Sequence, residues 1–413
     1  MDPAAVVTCF LRHRGELLLF RRAPDVDTYP DRWGAVSGYV EDDDPRGTAR
    51  LEIAEETGIT DPGFVRAGAP FSLRDEASNQ TWTVHPFLFD VDTRDLRLNE
   101  ETVEAVWVPA TELLRRPTVP ALWTSYRHVA PTVSTVREDT DRGSAAISIT
   151  ALEVLRDAAG QTAVRGGGFA QVDRTATDLL DARPAMAVLR NRVNRAMADT
   201  STPQTVERAA IQGIERAIDV DAAAADEAAD AVGETVLTLS RSGTVEQGLR
   251  QADPSVIVAE SRPGNEGVGV AEQLADAGLD VTLCTDAAIA TLLADTEIDT
   301  VLVGADTIRF DGAVVNKTGS RMAALAAANE DVPFLVACAV DKVSHDPTIH
   351  LETGDPDEIY TGRADLEVVN PTFDLTPAAL IDGYLTDRGR LTPADIDDVA
   401  KEMAGLADWQ KQE

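Results

Sequence analysis

An α/β chain is predicted: two mixed modules separated by a helical stretch. Three observations carry this. Residues 1–120 show a strand–turn–strand pattern, a single acidic helix and further alternating strands. Ala-rich segments of helical period fill 121–230. From 231 to 413, short apolar β-branched runs alternate with helical segments, the pattern of a doubly wound, mostly parallel sheet. A length of 413 residues suits two or three domains at ~100–200 residues each.

In order along the chain, 4–11 is apolar and β-rich, His13-Arg14-Gly15 reads as a turn, and 17–22 completes a hairpin. Residues 44–57 form the acidic helix, which ends at Gly58, a good left-handed cap, before apolar Ile59. Within it Glu52, Glu55 and Glu56 stand at i, i+3 and i+4 and share one face. Carboxylates that close repel one another, and a hard divalent cation such as Mg²⁺ or Mn²⁺ relieves the repulsion. A solvated acidic face is the plainer alternative. Residues 64–74, 80–91 and 103–108 alternate as strands; the acidic run Glu101–Glu104 leads into Trp107-Val108-Pro109. Arg115-Arg-Pro-Thr-Val-Pro120 breaks the pattern.

Helical period returns over 142–159, 170–183 and a long stretch from 195 to 231, with Gly166-Gly167-Gly168 as a joint. Strands follow at 235–239, 255–259, 280–284, 300–303 and 334–339. Ligands of such sheets bind beyond the carboxyl ends of the strands.

Composition narrows the function. The net charge is -34, from 71 acidic against 37 basic residues, and lysine occurs only at positions 317, 342, 401 and 411. This is the composition of a halophilic archaeal cytoplasm, where molar salt with a Debye length of ~3 Å screens self-repulsion. No basic stripe suggests broad nucleic-acid binding. Cys9, Cys284 and Cys338 and the five histidines have no metal-ligand or disulfide spacing. No signal peptide or apolar run of membrane length appears, so a cytoplasmic protein is expected.

With Trp33, Gly38 and Glu41 upstream and Gly58 behind, the acidic helix resembles the Nudix box, the Mg-binding loop–helix–loop of nucleoside-diphosphate hydrolases. The resemblance implies an α/β/α sandwich over 1–120, with Glu52, Glu55 and Glu56 both holding Mg²⁺ (or Mn²⁺) and catalysing hydrolysis of a nucleoside diphosphate derivative. The box departs from the pattern in three ways: Asp44 stands for the first glutamate, one residue is missing after it, and Leu51 holds the place of the bracing arginine, with Arg50 adjacent.

The second module resembles the family that joins the alpha, beta and delta subunits of translation initiation factor 2B to the isomerases of methylthioribose 1-phosphate and ribose 1,5-bisphosphate. The carriers are Leu237-Thr-Leu-Ser240-Arg-Ser-Gly243, Glu260-Ser-Arg262-Pro-Gly-Asn-Glu266-Gly267, Thr285-Asp286, Gly304-Ala-Asp306, Asn316-Lys317 and Asn370-Pro-Thr-Phe-Asp374. The resemblance spans about 130–400 and implies a helical part at 121–230 and a Rossmann-like part at 231–413. It implies that Asp306 is a catalytic acid or base, and that Arg142 and Gly143 seat a phosphate at a helix N-terminus. Ser240, Arg262, Asn316 and Lys317 would touch the ligand. Ser240 stands where the isomerases carry a cysteine, and serine cannot replace a thiol as an acid near neutrality. In this the chain is closer to the non-catalytic factor subunits. Asp286 equally suits a helix N-cap.

Three functions follow: a diphosphate hydrolase fused to a phosphate-ligand-binding module, a non-catalytic initiation factor 2B-like regulatory subunit, or a sugar-phosphate isomerase. Each implies a nucleotide or sugar-phosphate ligand, and the second module implies a homo-oligomer. The charge makes one prediction: the protein loses structure as salt is removed. A thermal melt followed from molar to millimolar KCl should fall steeply, and an unchanged melt would contradict it.

Overall fold

The computed structural model describes residues 4–26, 28–40, 43–75, 80–98, 102–348 and 351–411. The chain divides into two compact units. One comprises Met1–Thr135, Thr150–Ala176 and Ser201–Glu215; the other comprises Val136–Ile149, Thr177–Thr200 and Arg216–Glu413.

In the first unit, strand Ala4–His13 is the centre of an eight-stranded mixed sheet. It pairs in parallel with Gln80–Asp90 and antiparallel with Val36–Tyr39 and Glu16–Arg22. The tight turn at Gly15, φ +79°, leaves no room for a side chain, because a Cβ there would lie 2.6 Å from Ile214. Alternate residues of the strand serve opposite faces. Phe10 packs with Leu122, Tyr126 and Val129 of helix Leu122–Val129. Val7, Cys9 and Leu11 pack with Ala49 and Ile53 of helix Pro45–Thr57. A helix on each face of one sheet makes the expected α/β/α sandwich.

A buried polar cluster completes this unit. Arg156 and Glu153 are each 2 % exposed. Arg156 donates to Gly15 O at 2.7 Å and to Asp157 at 2.8 Å, and Tyr126 Oη donates to Asp157 at 2.8 Å. Glu153 accepts from Arg12 at 2.7 Å, while Arg12 also holds Asp90. Burial, and then the neighbouring Asp157 carboxylate, push the Tyr126 phenol up, so it stays a donor.

In the second unit, seven strands lie in the order Val281–Cys284, Ser255–Ala259, Thr235–Leu239, Thr300–Val303, Phe334–Ala337, Gly383–Thr386, Gly389–Leu391. Every pair is parallel except the last hairpin. The order turns back between Thr235–Leu239 and Thr300–Val303, which creates a switch point. A smaller four-stranded sheet joins Val343–Ser344, Thr307–Arg309, Val314–Lys317 and Phe373–Thr376.

The doubly wound sheet agrees with the sequence reading, with two differences. The helical stretch expected from 195 to 231 is two helices, Ala187–Met197 and Pro203–Ala231. Asp199 takes a left-handed φ of 56°, and Pro203 starts the second helix, where its missing N–H costs nothing. The smaller sheet and the two C-terminal strands were not expected. At two to four residues each, they are too short to show a period. Among the described residues, no helix is long and apolar enough to cross a membrane.

The polar cluster predicts a large mutational effect. Arg156→Ala leaves Asp157 buried without its cation, while Glu153 keeps Arg12, and such a loss costs about 3–5 kcal/mol. Denaturant titration in molar KCl should show a loss of that order; a loss below about 1 kcal/mol would show the cluster to be dispensable.

Candidate functional site

Two places carry the residues the sequence singles out. In the first unit, Asp44 caps helix Pro45–Thr57 by accepting the Gly47 N–H at 3.0 Å. Gly58 closes it in the left-handed conformation, φ 77°, donating to Ala54 O, as its sequence position suggests. The three glutamates do not share one environment. Glu52 and Glu56 are half-buried against strand Val36–Tyr39, whereas Glu55 is exposed. Ser37 N donates to Glu56 Oε1 at 3.3 Å. A Cβ on Gly38 would sit 1.8 Å from Glu52 Oε1, so the glutamate packs directly on the glycine. Beneath them, Cys9 is pushed up by burial and then by Glu56 and Glu52.

Arg50 approaches Asp61 at 3.9 Å. Asp44, in the place of the first glutamate, is engaged as the helix cap; Glu41 lies outside the described residues. Among the described residues no three His, Cys, Asp or Glu side chains gather where they could hold a metal ion. The carboxylate chemistry of Glu52, Glu55 and Glu56 suits Mg²⁺ or Mn²⁺.

The second place is a cavity of about 570 Å³ in the second unit, at the switch point. Two loops at strand ends frame it. Ser240 and Arg241 follow strand Thr235–Leu239, and Asp306 follows Thr300–Val303. The loops approach so closely that a Cβ on Gly304 would meet Ser242 Oγ at 2.6 Å. Ser240 is held by its backbone: it has a left-handed φ of 64°, and its N–H donates to Ser261 Oγ at 2.6 Å. Ser261 and Arg262 in turn donate their N–H groups to Asp286 at 2.8 and 2.7 Å. Asp286 therefore organises a loop and is not a helix N-cap for its own segment.

Arg142, Gly143 and Ser144 bring the start of helix Ser144–Val164 to the same cavity. Arg142 is clamped by Asp139 at 2.6 Å. Ser144 is 7 % exposed, and its Oγ has no hydrogen-bond partner of ordinary geometry. A buried hydroxyl at a helix N-terminus, close to the Asp306 carboxyl and lining a cavity, suits a ligand oxygen. Lys317 also lines the cavity, with Nζ 2.5 Å from Glu266 Oε1.

Asp306 has its carboxyl raised by burial, against the opposing pull of Lys342, the nearby Ser144 hydroxyl and Lys317. Lys342 is itself buried and donates to Ala305 O at 2.5 Å. A carboxyl that holds its proton more readily than usual is suited to donate or accept a hydrogen bond at a ligand oxygen.

Of the residues proposed from sequence, Arg142, Gly143, Ser240, Asp306 and Lys317 meet at this cavity. Arg262 and Asn316 are not among its lining residues. Arg262 is exposed and reaches Asn265 at 3.4 Å, while Asn316 is buried and donates to Ser320 Oγ at 2.8 Å. The reading missed Arg241, Glu266, Arg183 and Arg190, which do line it. Arg241 and Glu266 lie inside quoted motifs and could have been found there; the arginines at 183 and 190 sit in helical sequence with no signal.

The Asp306 environment gives a pH prediction. Its folded-state pKa lies above the unfolded one, so its ionised form is a cost above both values that vanishes below the unfolded value. Asp306→Asn should therefore raise the melting temperature at neutral pH, and the gain should shrink as pH falls through the raised pKa toward 3.8. Paired thermal melts across that range check the sign; a loss of stability at neutral pH would reverse it.

Residues 140–393 match the initiation factor 2 subunit family, and residues 1–129 match the NUDIX domain. The chain is 32 % identical over 294 residues to ribose 1,5-bisphosphate isomerase of Haloferax volcanii, covering 64 % of this chain and 88 % of that one. It is 30 % identical over 316 residues to methylthioribose-1-phosphate isomerase of Pseudomonas putida, covering 68 % and 88 %. With ribose 1,5-bisphosphate isomerase of Archaeoglobus fulgidus it shares 35 % identity over 195 residues, but spans only 61 % of that protein's length. Two solved structures share the fold. Translation initiation factor eIF-2B from Pyrococcus horikoshii has a TM-score of 0.55 at 24 % identity, covering 64 % of this chain and 96 % of that one. The 5-methylthioribose 1-phosphate isomerase from the same organism has a TM-score of 0.53 at 20 % identity, covering 74 % and 90 %. Behind an N-terminal NUDIX domain, the chain thus belongs to the initiation factor 2 subunit family.

Proposed function

We propose that this protein binds a phosphorylated sugar or nucleotide in its switch-point cavity without isomerising it, and that its NUDIX domain holds a nucleotide without cutting it. The observation that carries the first part is the convergence of Arg142, Gly143, Ser144, Arg241 and Asp306 on one cavity, with a hydroxyl at Ser240. Helix N-termini and guanidinium groups suit a phosphate. Asp306 supplies one proton-transfer group, but isomerisation needs two, and Ser240 is not an acid near neutrality. The relatives named isomerases support the ligand class more than the reaction.

For the NUDIX domain, the supporting observations are the exposure of Glu55 and the lack, among the described residues, of a metal-holding cluster. Assembly into a homo-oligomer through the second module belongs to the same reading.

The test uses the full chain in molar KCl. Calorimetric titration with ribose 5-phosphate and AMP should give saturable heats. Incubation with ribose 1,5-bisphosphate or methylthioribose 1-phosphate should give no product, and nucleoside diphosphate derivatives with Mg²⁺ should yield no nucleoside monophosphate. Product that disappears in Asp306→Asn would make the protein an isomerase. Nucleoside monophosphate formation that disappears in Glu55→Gln would make it a hydrolase.

A further inference from the structure

Six cationic side chains line the cavity: Arg142, Arg183, Arg190, Arg241, Arg309 and Lys317. Five are engaged by the protein itself. Arg142 meets Asp139 at 2.6 Å, Arg190 meets Asp346 at 3.1 Å, and Arg309 meets Asp311 at 3.3 Å. Arg183 spends its donors on the carbonyls of Val136 and Asp139. Lys317 is bound to Glu266. Only Arg241 of the six makes no hydrogen bond or ion pair among the described residues. Six carboxylates line the same wall, including Glu266, Glu352 and Glu358. The formal charge of the lining is balanced, and Arg241, which interacts through space with Glu246, is its one cation free of a hydrogen bond or ion pair among the described residues.

Glu266 sits at the first residue of helix Glu266–Asp276, where a negative charge is stabilised. Its Oε1 accepts Lys317 Nζ at 2.5 Å, and its Oε2 is buried with no hydrogen-bond partner. A carboxylate oxygen only accepts hydrogen bonds, so this atom calls for a donor that the protein does not provide. A phosphoryl group has acceptors and negative charge to offer there, and both are wrong. A sugar hydroxyl has the right donor and no charge.

We infer that Glu266 is a specificity-determining residue: it accepts a hydrogen bond from a ligand hydroxyl and bars a second phosphoryl group. The cavity then takes a sugar phosphomonoester with free hydroxyls and discriminates against a bisphosphate. This rests on the ligand-binding reading proposed above. Lys317 has a changed role in consequence. It neutralises and orients Glu266 and is not itself a phosphate ligand.

The test is calorimetric titration of the full chain in molar KCl with ribose 5-phosphate and with ribose 1,5-bisphosphate. The wild type should bind the monophosphate at least about tenfold more tightly. Glu266→Gln keeps the shape, removes the charge and adds a donor, so it should narrow that ratio by about tenfold or reverse it. Lys317→Met leaves the Glu266 charge without its partner and should widen it. Near-UV circular dichroism identifies folded variants; should Glu266→Gln not fold, the Lys317→Met ratio decides. Equal or better binding of the bisphosphate by the wild type, or an unchanged ratio in a folded variant, overturns the inference while leaving ligand binding intact. Binding of neither probe to the wild type overturns both.

Discussion

Arg192 is the fixed point of the cavity. It lies on helix Ala187–Met197, 3 % exposed, and every arm of its guanidinium is used. It meets Asp341 at 3.2 Å, Asp221 at 2.8 Å and Ser148 Oγ at 2.9 Å. A guanidinium buried this deeply is tolerated only when so surrounded. Burial would raise the Asp341 carboxyl, but Arg192, Arg195 and Arg216 outweigh it and hold it below the usual carboxylate range. The same helix donates from Asn191 to the backbone of Asp341 and Val343 at 2.7 Å. One charge thereby fixes the helix that begins at Ser144, the segment that carries Lys342 and the helix that carries Arg190. Three sides of the cavity share a common anchor, and Arg192 itself is not among the lining residues.

The cavity also gathers cations in an acidic protein, where its lining carries as many cationic as acidic side chains. With a net charge of -34, long-range attraction of an anionic ligand is absent. Recognition has to come from short-range geometry: helix N-termini, clamped guanidinium groups and buried atoms whose hydrogen bonds are unmet. Glu266 Oε2 is such an atom. It costs stability, and a ligand of the proposed class would recover that cost.

The sequence was most legible where a local rule dominates. Gly58 was readable as a left-handed cap because only glycine fits easily there, and the parallel sheet because its strands are continuous apolar runs. Five of the proposed site residues in the second module meet at one cavity because strand ends at a switch point must converge. What was not legible depends on side-chain direction. Three glutamates at helical spacing gave no hint that Glu55 would face solvent while Glu52 packed onto Gly38. Asn316 and Lys317 are neighbours in one motif, yet alternate sides of a strand send one to Ser320 and the other to Glu266. Arg192 and Asp341 are paired only by tertiary folding, and no sequence period connects them.

The scarcity of lysine has a practical side. Lys317 is buried at the cavity and Lys342 is buried near Asp306, whereas Lys401 and Lys411 are exposed at the far end of the sequence. An amine-directed acylating reagent or cross-linker therefore meets only two reactive side chains on the folded chain's described surface, both within its final helical turns. Acylation at Lys317 would report opening of the cavity, against a background of those two side chains and the α-amino group.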